Sequence, residues 1–279
     1  MAKKGRRRDC PRKGGLQQAQ HNAKKGGRPS NKSNGINKKK KNNFGSGKKK
    51  YTDDKETGSM LPLGYDPLQR ILMVGEGNFS FSRALVRLFE GNGFSLLASC
   101  FDSEEILHKK YQDAKMIVDE IRSAGAFVKF GVDAKDLMGG TGLAKKKRKE
   151  GLSYEDLFDR IVFNFPHCGL GIKDQDKNVL ANQQLLEGFF RSAVELLRPE
   201  GEIHVTLKSG KPYDMWNIVG SAHRASAKKL VHSTIVSFKP ESFPGYSHRR
   251  TIGFKEGLDK AENEEIESRS RTYIFVLDK

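Results

Sequence analysis

Five short apolar runs, each closed by a glycine or a polar residue and each separated from the next by a helical pattern, leave this chain few folds to choose from. Arg70-Ile-Leu-Met-Val74 runs unbroken into Gly75. Leu96 to Phe101 ends at Asp102, and Ala126 to Phe130 leads to Val132-Asp133. Arg160-Ile-Val-Phe163 is closed by Asn164, and Glu202-Ile-His-Val-Thr-Leu207 is the fifth. A short continuous apolar run reads as a strand covered on both faces, which is the condition of a parallel strand. Between the runs, Ala84, Leu85, Leu88 and Phe89 make a helical stripe ending at Gly91. Ile106, Tyr111, Ile117, Val118 and Ile121 make another, ending at Gly125. A long helix is expected from Asn182 to Leu197, stopped by Pro199-Glu-Gly201, and a further one near Met215–Ala225. Strands alternating with helices imply an α/β fold whose mostly parallel sheet has helices on both faces and right-handed crossovers. The last two strands, Leu230–Phe238 and Thr272–Leu277, have no obvious helix between them. They read as an antiparallel pair joined by a long charged loop.

Charge divides the chain differently. Of 51 Lys and Arg, 18 fall in the first fifty residues against the single acid Asp9, which places the whole excess of +17 there. The rest is charge-balanced. Apolar residues in that stretch are few and scattered, so residues 1–58 read as a disordered basic tail that follows phosphates and serves as a nuclear or nucleolar address. Residues 61–279 form the folded domain. A stretch at about 134–151, with Gly-Gly-Thr-Gly and Lys145-Lys-Lys-Arg-Lys149, reads as a mobile basic surface insertion.

Several classes are set aside. No apolar core follows the basic N-terminus, so it is not a secretory signal. No run approaches the roughly 18 apolar residues of a membrane span. Cys10, Cys100 and Cys168 have no metal-ligand spacing, so neither a zinc site nor a disulfide framework is expected.

In such a sheet, ligands bind at the carboxyl ends of the strands, near the switch in strand order. Four segments end there. Gly75-Glu76-Gly77-Asn78-Phe79 is a glycine turn that lets the backbone approach a ligand, followed by unpaired N–H groups at a helix start. A full dinucleotide fingerprint needs a third glycine where this chain has Ser80, which disfavours a dehydrogenase. Asp102 is placed either to accept hydrogen bonds from ribose hydroxyls or to cap the next helix. Asp133 either receives an adenine amino group or serves a cap or turn. Asn164-Phe165-Pro166-His167 is the most informative: Pro166 restricts Phe165 to extended geometry. Asn164 offers a carbonyl to a substrate N–H. Phe165 or His167 can stack on a flat base or a sulfonium. The arrangement is similar to the Asn-Pro-Pro-Tyr motif of methyltransferases acting on ring or exocyclic nitrogens.

Three segments together resemble one family. Gly75-Glu-Gly-Asn-Phe-Ser-Phe-Ser82, Phe163-Asn-Phe-Pro-His167 and Phe243-Pro-Gly-Tyr-Ser-His-Arg-Arg-Thr251 look like the signatures of the large-subunit (25S-type) rRNA uridine-N3 methyltransferases. The resemblance covers the chain from about Leu61 onward. It implies a Rossmann-like fold, S-adenosylmethionine (SAM) as cofactor, and a nucleolar enzyme acting on rRNA in pre-ribosomal particles. It implies SAM contacts at Gly75, Glu76, Gly77, Asn78 and Phe79, with methyl transfer near Asn164, Pro166 and His167. Asp102 and Asp133 complete the expected cofactor set, and no metal is expected. His167 is the nearby side chain suited to take the N3 proton, or else it stacks while water takes it. Arg249-Arg250 would hold the RNA backbone, and a monomer is expected. One departure is Cys168-Gly169-Leu170-Gly171, where family members often carry a small or apolar residue and then Gly-Gly. Two other classes compete: a non-catalytic RNA-binding or ribosome-assembly protein, and a nicotinamide-dependent oxidoreductase.

Overall fold

A computed structural model describes residues 61–251, 266 and 269–278. The expected disordered tail at 1–58 lies outside them. Seven strands form one sheet: β1 (Ile71–Val74), β2 (Leu96–Ser99), β3 (Phe127–Lys129), β4 (Phe158–Asn164), β5 (Leu197–Lys208), β6 (Leu230–Ser237) and β7 (Ser270–Leu277). Their order is β3-β2-β1-β4-β5-β7-β6. The first five in that order run parallel, and β7 lies antiparallel between β5 and β6. This is the Rossmann-like sheet that the resemblance implies, antiparallel ending included. The order reverses between β1 and β4, so a cleft opens where those two strands end.

Strand β1 shows why the apolar runs were continuous. All four residues are buried, yet they face opposite ways. Ile71 and Met73 join the core under helices α1 (Ser80–Leu88) and α3 (Ala114–Ser123). Leu72 and Val74 join a second core under α6 (Gln175–Val194) and α7 (Ile218–Ala225). A strand sandwiched in this way has no polar face to alternate.

Several boundaries differ from the sequence reading. The stripe from Ile106 to Ile121 is two helices, α2 (Glu104–Lys110) and α3, broken at Tyr111. The Tyr111 side chain is drawn away to donate to the Arg250 carbonyl at 2.9 Å. Helix α6 begins seven residues earlier than expected, capped by Asp174, whose carboxylate accepts from the Lys177 N–H at 2.9 Å. Pro199-Glu-Gly201 does not stop that helix. It lies inside β5 as an irregularity, where pairing skips from Phe158↔Leu197 to Arg160↔Glu202. A proline lacks the N–H that a ladder needs, so it is tolerated at such a bulge. The basic stretch read as a mobile insertion folds into α4 (Leu137–Gly140) and α5 (Leu143–Glu150). Leu137 is fully buried, and its N–H donates to Ser192 Oγ of α6 at 2.7 Å.

Candidate active site

The carboxyl ends of β1, β2 and β4 and the turn after β3 open into one cavity of about 410 Å³, within the range of small-molecule sites. Gly75 to Phe79, Asp102, Asp133, Asn164 and His167 all line it. Pro166 does not: it is buried behind the wall, so it shapes the strand end rather than meeting a ligand.

The glycine turn is tight for identifiable reasons. Gly75 has φ +67°, and a Cβ there would run into the Phe163 ring. Gly77 has an unremarkable φ, but a Cβ would come within 3.3 Å of the Arg249 Cβ. Asn78 and Phe79 turn their side chains inward. Asn78 Nδ2 donates to Asp113 at 2.9 Å, and its Oδ1 accepts from the Ser80 N–H at 3.2 Å. Phe79 is fully buried at φ +64° and sets its ring edge-on to Phe130. These two residues therefore offer a ligand backbone rather than side chains. Glu76 accepts from the Ser82 N–H at 3.2 Å. Burial pushes its carboxyl up to about 7, against the smaller opposing pull of that hydrogen bond.

The two acids differ from each other. Asp102 does not cap α2; Ser103 does, accepting from the Ile106 N–H at 3.3 Å. Both Asp102 oxygens instead receive Lys110 Nζ at 2.8 Å. Asp133 makes a turn contact, with Oδ1 accepting from the Lys135 N–H at 2.9 Å, and also lines the cavity.

The β4 end departs from expectation in two ways. Phe165 is not extended: it takes φ +51°. Its N–H still reaches the Thr206 carbonyl at 2.8 Å, and its ring packs edge-on against Phe238 and His248. That packing outweighs the local preference of a residue before proline. Asn164 also presents the opposite end of its amide. Oδ1 accepts from Thr206 Oγ1 at 2.7 Å, and that hydroxyl also bonds Thr272 Oγ1 at 2.9 Å. Nδ2 is buried and has no hydrogen-bond partner among the described residues. An unsatisfied buried donor costs free energy and is retained where it has a use.

His167 has its Nδ1 engaged by the Gly169 N–H at 2.9 Å. The neutral ring is thereby the Nε2–H tautomer, and burial lowers its pKa. The first leaves Nε2 as the donor, and the second favours the neutral ring. Its loop is held from below by Asn182, whose Oδ1 accepts from the Cys168 N–H at 2.9 Å. Asn182 is fully buried and fell in the sequence reading only as a helix start.

The segment from Phe243 to Thr251 closes the cavity on the remaining side. Phe243 anchors it in an aromatic cluster, 4.6 Å from Phe81 and stacked 5.4 Å from Phe238. Arg249 pairs with Asp113 at 3.1 Å, and Asp113 is the same carboxylate that receives Asn78. Arg249, expected to hold RNA, is thus committed to fastening this strap over the glycine turn, while Arg250 is exposed. Among the described residues, no group of three or more His, Cys, Asp and Glu could hold a metal ion.

Comparison with known proteins supplies a family for the chain. A family model for BMT5-like proteins, described as rRNA (uridine-N3-)-methyltransferase BTM5-like, matches residues 72–250. An Arabidopsis thaliana protein, uncharacterized protein At4g26485, is 32% identical over 198 residues, covering 70% of this chain and 88% of its own. Heavy metal-associated isoprenylated plant protein 41 of the same plant is 35% identical over 190 residues, 68% of this chain; the chain spans 34% of that relative's length. The 25S rRNA (uridine(2634)-N(3))-methyltransferase of Saccharomyces cerevisiae is 26% identical over 262 residues, covering 78% of this chain and 75% of its own. The matched span runs from within β1 into the strap and takes in the first two sequence signatures and the third as far as Arg250, so the chain belongs to the BMT5-like rRNA (uridine-N3-)-methyltransferase family.

Proposed function

We propose that this protein transfers a methyl group from SAM to N3 of a uridine in large-subunit rRNA, with residues 61–279 as the catalytic domain. The observation that carries the reading is the Asn164 donor, without a partner among the described residues, set in the wall of the cavity that the glycine turn also lines.

The residues present fit SAM. The Gly75 turn packs so closely that a Cβ would strike Phe163, which lines the same cavity, and two carboxylates, Asp102 and Asp133, line it as well. In this reading the Gly75–Phe79 backbone lies against the cofactor, Asp102 accepts from its ribose hydroxyls and Asp133 from its adenine amino group. When bound, SAM supplies a methyl group on a positively charged sulfur.

Uracil N3 lies between two carbonyl oxygens, both acceptors. Asn164 Nδ2 donates to one, and the His167 Nε2–H to the other. Each donor draws electron density outward as N3 gives up its proton, and the pair fixes the ring plane. Water takes the proton, because the lone pair of His167 Nδ1 is held by Gly169. Much of the rate then comes from alignment of nitrogen, methyl carbon and sulfur. A paired uridine would first leave its stack.

The basic tail adds phosphate affinity with little sequence preference, and the protein acts in the nucleus and nucleolus during ribosome biogenesis. Nucleoside mass spectrometry of rRNA from cells with and without the protein tests the activity. Loss of 3-methyluridine is expected; an unchanged level would remove the assigned substrate. A fluorescent fusion outside the nucleolus would remove the assigned location.

A further inference from the structure

Helix α5 carries five cations in succession, Lys145 to Lys149, and none of its residues is fully buried. Two of them are committed. Lys146 Nζ lies 2.7 Å from Asp156, just ahead of β4, and Lys147 Nζ lies 2.8 Å from Glu195, just beyond α6. Lys145, Arg148 and Lys149 are exposed and, among the described residues, have no acidic side chain within ion-pair reach. Their spacing of i, i+3 and i+4 puts them on one face, where like charges repel. The helix dipole accounts for cations in the last turn but opposes Lys145 in the first, where there is no acid. Gly142 provides no side-chain cap either. Local stability does not explain this face; the two ion pairs clamp the helix while three positive charges point outward.

The location narrows the partner. Asp156 and Glu195 precede β4 and β5, so α5 is fastened at the amino end of the sheet, whereas the cavity is at the carboxyl end. The length of β4 separates them by roughly 20 Å at 3.3 Å per residue. A single nucleotide in the cavity cannot reach that far, but a structured RNA passing over the α6 side of the domain can. We propose that Lys145, Arg148 and Lys149 form a second contact for the phosphate backbone of a long RNA substrate, remote from the methylated base. This rests on the RNA reading above and adds that substrate size, as well as sequence, is recognised.

The test uses the full chain with all three residues changed to Gln (Lys145→Gln, Arg148→Gln, Lys149→Gln). Binding is measured against KCl concentration for a long rRNA fragment and for a short oligonucleotide carrying the same uridine. Steady-state methyl transfer is measured on both. Three lost phosphate contacts should make the log K against log salt slope shallower by about 2 for the long RNA. Its KM should rise about tenfold, with kcat unchanged and the short oligonucleotide unaffected. Lys115→Gln, an exposed lysine on α3, should leave the slope as it is, and the charge-conserving set Lys145→Arg, Arg148→Lys, Lys149→Arg should restore it. An unchanged slope on the long RNA overturns the proposal; an equal loss on the short one, or an equal loss from Lys115→Gln, does the same. A chain that shows the slope difference but transfers no methyl group supports this surface and overturns the proposed activity instead.

Discussion

Ser80 and Ser247, 167 residues apart, exchange hydrogen bonds: Ser80 Oγ donates to the Ser247 carbonyl at 2.9 Å and accepts from the Ser247 N–H at 3.1 Å. The pair latches the strap to the start of α1, just after the glycine turn. Ser80→Ala removes both bonds and leaves two backbone groups without partners, a cost of about 1–3 kcal/mol. A melting temperature lowered by several degrees is expected, together with weaker SAM binding by calorimetry. Unaltered SAM affinity in the variant would mean that the strap does not shape the cofactor site.

Gly75 and Gly77 should differ in how they fail. Gly75→Ala forces a left-handed backbone on a residue with a Cβ, at about 1–2 kcal/mol, and drives that Cβ into Phe163. A clear fall in urea stability is expected along with loss of SAM binding. Gly77→Val meets Arg249 and Tyr111 and carries no such backbone strain. It should lose SAM binding with less cost to the fold. Normal SAM binding by Gly77→Val would show that the turn is not the cofactor loop.

How far the sequence could be read follows from how local each signal was. Strand β1 and the glycine turn were legible because burial on both faces and a backbone turn each write themselves in adjacent residues. The break at Tyr111 was not, since apolar periodicity continues through it and only a bond to Arg250, 139 residues on, explains it. Asp174 went unnoticed as a cap because the first turn of α6 is exposed and the apolar face starts only at Val179. The Phe243–Thr251 signature was visible, but not that it folds back over Gly77. That Asn164 ends a strand at the cavity was legible, but not the end of its amide left unbonded, because that depends on Thr206, in a different strand.

Asn164→Ala should lower kcat by about 10²-fold, the scale for loss of one preorganised donor, with SAM affinity little changed. Thr206→Val frees Oδ1 and lets the amide rotate, so it should lower kcat without touching the substrate. Methyl transfer under saturating SAM and RNA checks both. A change confined to SAM affinity in either variant would place Asn164 on the cofactor side.

His167→Gln retains an N–H donor, whereas His167→Ala does not. If the ring acts as a donor, Gln keeps most of the turnover and Ala loses it. A base would give the reverse pattern for Gln, since loss of a general base costs about 10²–10⁴-fold. The ring offers its Nε2–H whether neutral or protonated, so activity should not follow its titration, which burial moves below the ordinary 6.5. A drop in kcat at a pH below 6.5, abolished by His167→Gln, would restore His167 as the base.

Glu76 links cofactor binding to pH. Its folded pKa, about 7, exceeds the ordinary 4.5 because burial disfavours the anion. A raised folded value means that the fold prefers the protonated acid. That stabilisation is complete below about 4.5 and is lost as pH climbs through about 7. The ligand-free protein should therefore melt progressively lower from pH 5 to 8, and Glu76→Gln should remove the decline. SAM brings positive charge into the same cavity, which favours the ionised carboxylate. Binding at pH 6 should release a proton, and affinity should rise from pH 6 to 8 before levelling. Calorimetry in two buffers of different ionisation enthalpy reads the proton directly, and Glu76→Gln should bind without releasing one. A wild-type affinity that is flat across this window, with no proton released, would mean that the carboxylate does not sit beside the cationic part of the cofactor.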